Sequence, residues 1–135
     1  MVGTYAVHWD TAANRVDFAL AGSWDADVMD RWQAEFEASL VGARPGWTFV
    51  GDLTVYDPVQ DATVARRQAR FVPACRRRGM VRGALVVPRA TAVWQAPRRH
   101  RASGPTTETV TELMITDETR AVTSREEALA FVEGR

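Results

Sequence analysis

The chain has 135 residues, 46% of them hydrophobic and 25% charged, with 17 basic and 17 acidic residues and a formal net charge of zero. That length fits one domain spanning 1–135, large enough to bury a core unaided, and the single cysteine, Cys75, excludes an intrachain disulfide framework and a cysteine-based zinc cluster. No apolar run reaches the roughly 20 residues that cross a bilayer, and Met1 to Asp10 lacks the basic and apolar regions of a secretory signal, so the expectation is a cytoplasmic protein, not an integral membrane protein.

Tyr5, Val7 and Trp9 alternate with Ala6 and His8, the pattern of a half-buried strand. After the polar turn Asp10–Asn14, Val16, Phe18 and Leu20 alternate with Arg15, Asp17 and Ala19, which predicts a second strand and a hairpin ended by Gly22. Ser23 or Asp25 can cap the helix that follows, with Asp27 near its positive end. Val28, Trp32, Phe36 and Leu40 recur every fourth residue and form its apolar stripe; Gly42 and Pro45-Gly46 stop it.

Trp47 to Leu53 is aromatic, β-branched and mostly apolar on both faces, as in a covered central strand. Tyr56-Asp57-Pro58 reads as a loop, and a helical stretch begins near Gln60. On a helical wheel Val64, Ala65, Ala69, Phe71, Val72 and Cys75 share one arc, with Arg66, Arg67, Arg70, Arg77 and Arg78 opposite. Pro73 should kink or restart this helix, and Gly79 ends it. Val81–Val87 predicts a buried strand stopped by Pro88. Residues 91–96 suit a helix, Arg98 to Pro105 a polar loop, and Thr106 to Thr116 fits strand or helix. Arg120 to Thr123 predicts a last strand, and Ser124-Arg125-Glu126-Glu127 a capping box opening a final helix. The order β-β-α-β-α-β-(α)-β-α implies an α/β fold, a mixed sheet opening with an N-terminal hairpin, with helices packed against it.

The charges are segregated. Residues 1–61 hold ten acids against Arg15, Arg31 and Arg44; residues 62–105 hold no acid and eleven arginines; the end turns acidic again. A basic middle attracts an anionic partner. The alternative is that it pairs with the acidic ends, across the fold or across a dimer interface.

Four segments in order carry a family resemblance: "LAGSWDADVMDRWQAEFEASL", "FVGDLT", "RGALVV" and "AVTSREEALAFV". Together they resemble the SpoIIAA-like group, the sulfate transporter and anti-sigma-factor antagonist (STAS) domains, over almost the whole chain. The resemblance implies a STAS-like fold and regulation by binding, with no general catalytic role. Antagonists that switch by phosphorylation carry an Asp-Ser-Ser/Thr-Gly signature at the start of the second helix. Here the stretch Val55 to Thr63 has neither the serine pair nor the glycine, although Asp52-Leu53-Thr54 is retained. A phosphosite is therefore not carried over, and the chain resembles a divergent member.

Nothing in the residues points to catalysis. His8 lies mid-strand, opposite in facing to Val7 and Trp9, and His100 lies in an arginine-rich loop. No nucleophile elbow, phosphate-binding glycine loop or zinc-protease motif is present, so no cofactor, metal or catalytic residue is expected. Cys75 reads as a buried helical thiol, and Asp25 and Asp27 as first-turn acids. Trp32 and Trp47 read as core; Trp24 and Trp94 suit packing at the sheet edge or the lining of a pocket.

The first reading is therefore a non-enzymatic, STAS-like regulatory module. It binds a protein partner or small ligand, with a second copy as one such partner, at the surface after the third strand: Asp52, Thr54, Tyr56, Asp57, Gln60 and Asp61, joined by Arg89. The second is an anion-binding module in which Arg66, Arg67, Arg70, Arg98 and Arg99 of segment 66–101 hold phosphate groups of lipid or nucleic acid. Nucleic acid alone is not expected, because no strand-borne aromatic platform is present. The third is a small enzyme with an unrecognised site.

Overall fold

The structure, a computed structural model, describes residues 3–56, 64, 67, 70–88 and 117–134. Strand β1 (Thr4–Asp10) and strand β2 (Arg15–Gly22) form the antiparallel hairpin that the alternation predicts, with Val7 opposite Phe18 and Trp9 opposite Val16. Asn14 closes the turn with φ 52°, in the left-handed region that Asn visits more readily than most residues. Its side-chain amide ties the hairpin to the loop before the next strand: Nδ2 donates to the Arg44 carbonyl at 3.1 Å and Oδ1 accepts from the Arg44 N–H at 3.0 Å.

Helix α1 (Ala26–Ser39) starts at Asp25, whose carboxylate accepts from the Val28 N–H at 2.9 Å, so Asp25 and not Ser23 is the cap. The apolar stripe Val28, Trp32 and Phe36 is buried, and Leu40 extends it into a short 3₁₀ turn, Leu40–Gly42. Strand β3 (Thr48–Tyr56) runs three residues beyond Leu53, so Tyr56 ends a strand rather than opening a loop. Val64 and Arg67 are helical, Arg70 lies in a turn, and helix α2 (Phe71–Arg77) restarts there. Pro73 sits in its first turn, where a missing N–H costs no intrahelical bond. Gly79 follows with φ +100°, and a Cβ there would lie 3.3 Å from Pro45 Cα; this is the stop that the glycine predicts. Strand β4 (Arg82–Val86), strand β5 (Thr119–Val122) and helix α3 (Arg125–Val132) complete the described elements. Ser124 caps α3 by accepting from the Glu127 N–H at 3.1 Å. Glu127 reaches back to side chains, accepting from the Thr123 hydroxyl at 2.9 Å and the Ser124 hydroxyl at 3.2 Å.

The five strands form one mixed sheet in the order β1-β2-β3-β4-β5, parallel everywhere except the hairpin. Two cross-strand pairs lock its register. Phe18 stands opposite Gly51 and Phe49 opposite Gly83. Each ring lies where a Cβ on the facing glycine would collide with it. A slip of one residue would put a side chain under each ring.

Helices cover both faces. On one, α1 and α2 bury Phe18, Trp32, Phe36, Phe49 and Phe71 in a ring cluster, with neighbouring centroids 4.9 to 5.9 Å apart. Aromatic contacts of this kind stabilise beyond their buried area. On the other, Ala128 and Val132 of α3 pack on Val50, Ala84, Val86 and Val122. This two-sided cover is why β3 and β4 lack a polar face. The hairpin is not covered on the α3 side, where Thr4, Ala6 and His8 are exposed. Trp32 and Trp47 are core, as expected, and Trp24 is buried as well, its indole N–H donating to the Ala21 carbonyl at 3.1 Å. Trp94 lies outside the described residues. No helix among the described residues is long and apolar enough to cross a membrane.

Candidate functional site

The carboxyl end of β3 departs from strand alternation. Ala19 pairs with Asp52 and Ala21 with Val55, so β3 spends one residue more than β2 over this stretch, a β-bulge. Its effect shows in burial. Leu53 faces the core, Thr54 and Val55 both face solvent, and Tyr56 turns back in. Val55 is 67% exposed and Tyr56 only 6%.

Asp52 sets this geometry. Its Oδ1 accepts from the Thr54 N–H at 2.9 Å and from the Thr54 hydroxyl at 2.6 Å, a local turn that pairs an N–H which the bulge takes out of the ladder. Asp52 and Thr54 are both exposed, so the bulge presents a carboxylate, a hydroxyl and the Val55 side chain together at the end of a parallel strand. Tyr56 lies apart from them. Its ring packs edge-on against Trp24, with centroids 5.7 Å apart, inside the main core. Alternation places Asp52 and Thr54 on one surface, and the bulge adds Val55 to the exposed residues and turns Tyr56 to the core side of the strand. Asp57, Gln60, Asp61 and Arg89 lie outside the described residues.

The arginine segment is partly committed to intrachain pairs. Arg67 forms an ion pair with Asp30 of α1, and Arg76 reaches Glu118 at 3.3 Å. Elsewhere Asp17 binds Arg15 at 2.9 Å and Arg125 at 3.4 Å. Arg70, Arg77 and Arg78 are exposed and form no ion pair among the described residues. Arg66, Arg98 and Arg99 lie outside them.

The remaining chemistry-bearing groups are quiet. Cys75 is 3% exposed. Burial pushes its thiol far above the usual 9.0, opposed by the Arg78 charge and reinforced by Glu37. The neighbouring Glu35 carboxylate raises the Tyr5 phenol above its ordinary range. Asp25 and Asp27 serve the start of α1. Among the described residues, no group of three His, Cys, Asp or Glu side chains is arranged to hold a metal.

One concavity escapes a residue-by-residue reading of the sequence. A groove lies between α1 and α2, lined by Trp32, Phe36, Phe71 and Cys75, with Glu37 and Arg78 on its rim. The signal for it was divided between two apolar stripes, and nothing in either stripe says that they fail to close completely. Compared with known proteins, the chain matches no family model, no curated protein and no solved structure.

Proposed function

We propose that this chain is a non-enzymatic binding module of STAS-like type, acting through a protein partner or small ligand at the surface that follows β3. The observation that carries this reading is the bulge at Asp52–Val55. It adds the Val55 side chain to a carboxylate and a hydroxyl at the carboxyl end of a parallel strand, the usual place for ligands in open α/β sheets. The Asp-Leu-Thr sequence that contributes to the family resemblance is the sequence that builds the bulge. The arginine reading is less favoured, because Arg67 is already neutralised by Asp30 and Arg76 by Glu118.

The test places a photo-crosslinking side chain at Val55 in cells, with a second at Val41, which is 87% exposed, as the control. A protein partner gives one discrete adduct from position 55, none of it from position 41, and less of it when Asp52→Ala is added. A small ligand instead gives a bound mass in the native mass spectrum of protein recovered from cells, lost in Asp52→Ala. Absence of both results, or the same adduct from both positions, contradicts the proposal.

A further inference from the structure

We propose that β1 is a dimerisation edge, along which two copies of this chain pair their β1 strands antiparallel about a two-fold axis at Val7 and join their sheets into one. This edge is separate from the surface that follows β3, because β2 lies between β1 and β3.

Alternate residues of an edge strand point their N–H and C=O groups away from the sheet. Among the described residues, the backbone of β1 bonds only to β2, so its outward row is unmatched within them. Natural sheets blunt such edges with short strands, bulges, proline or charge. The opposite edge, β5, is four residues long and carries the exposed Arg120. Strand β1 has none of these guards. It runs for seven residues without proline, lysine or arginine, pairs with β2 in unbroken register, and holds its one formally charged residue, Asp10, at its end. Both faces beside the edge are open. Thr4, Ala6 and His8 are exposed on one; on the other, Tyr5, Val7 and Trp9 stay partly exposed although they pack on the main core.

A row of unmatched backbone groups is met by another strand, and the side chains of β1 select a second copy of β1. A two-fold axis perpendicular to the sheet keeps the two faces matched, so residues of the same parity meet across the seam. Only the register centred on Val7, the middle residue, pairs all seven. In it Tyr5 meets Trp9 of the partner subunit, twice by symmetry, giving two aromatic cross-strand pairs. Ala6 meets His8 of the partner subunit, Val7 meets Val7, and Asp10 meets the hydroxyl of Thr4 rather than another charge. A centre at His8 sets imidazole against imidazole. A centre at Ala6 sets Trp9 against Gly3 and loses both aromatic pairs.

The test is sedimentation velocity of the full chain from about 1 to about 500 μM, where a dimer should grow with concentration and dissociate on dilution. Position 4 is exposed and sets the sign of the response. Thr4→Lys places an ammonium opposite Asp10 of the partner subunit and should tighten the dimer about threefold to tenfold; Thr4→Asp places a carboxylate there and should weaken it by as much. Disulfide trapping checks the register, with buried Cys75 giving little background. Opposed residues have Cα atoms about 4.5–5.5 Å apart, within disulfide reach, so Val7→Cys should crosslink under mild oxidation. Thr4→Cys should not, because its symmetry mate lies about 20 Å away along the strand. Asp52→Ala should leave the dimer unchanged, which separates this edge from the β3 surface. A monomer at every concentration, a dimer indifferent to the sign of the charge at position 4, or crosslinking through position 4 as fast as through position 7 overturns the proposal.

Discussion

Cys75 is the residue most easily mistaken for a reactive group, because three arginines follow it in sequence. Nearby positive charge lowers a thiol's pKa, whereas burial in apolar surroundings raises it. Here burial dominates and holds the proton on sulfur, and Arg78 offsets only part of that. The consequence for pH has a definite sign. Below the usual 9.0 the thiol is protonated in both folded and unfolded chains and contributes no slope. Above it the unfolded chain ionises and the folded chain does not, so stability falls as pH rises. Cys75→Ala should make the decline in urea-unfolding stability between about pH 8.5 and 10 shallower. Alkylation of native Cys75 at pH 8 should proceed only as fast as the protein opens. Rapid labelling in the absence of denaturant would show that the thiol is accessible.

At the scale of elements, most of the fold was legible because it follows two periods. Alternation in Tyr5–Trp9 and Val16–Leu20 marks the hairpin, and four-residue recurrence from Val28 to Leu40 marks α1. Both periods arise from local backbone geometry, so they are written in consecutive residues. The bulge is not. Whether Tyr56 faces in or out depends on an extra residue in β3 relative to β2, and only the pairing reveals it. That is why Tyr56 reads as part of an exposed loop in the sequence and sits beside Trp24 in the fold. The glycines share this property. Gly51 and Gly83 look like weak points in strands, yet each accommodates a ring from the neighbouring strand. Gly83→Ala should therefore cost about 1–3 kcal/mol by overpacking against Phe49. Thermal unfolding of this variant is the check, and a cost below about 0.5 kcal/mol would mean that the ring has room to move.

Across the whole molecule, the segregation of charge along the chain is partly undone by folding. The acid-free middle meets acids from both ends, through Arg67–Asp30 and Arg76–Glu118. These pairs involve exposed partners and are screened by salt, so together they contribute little. Raising salt from about 0.05 to 0.5 M should change urea-unfolding stability by less than about 1 kcal/mol. A larger loss would mean that charge pairing, rather than the two apolar layers, holds the fold. The functional account depends most on the end of β3 and on the bulge that shapes it. Cysteine accessibility tests that bulge directly, since native Cys75 is buried and gives little background. With a bulge, Thr54→Cys and Val55→Cys both react with maleimide at close to the rate of a free thiol, and Tyr56→Cys reacts slowly. Fast labelling at 54 and 56 with protection at 55 would restore plain alternation and contradict the account.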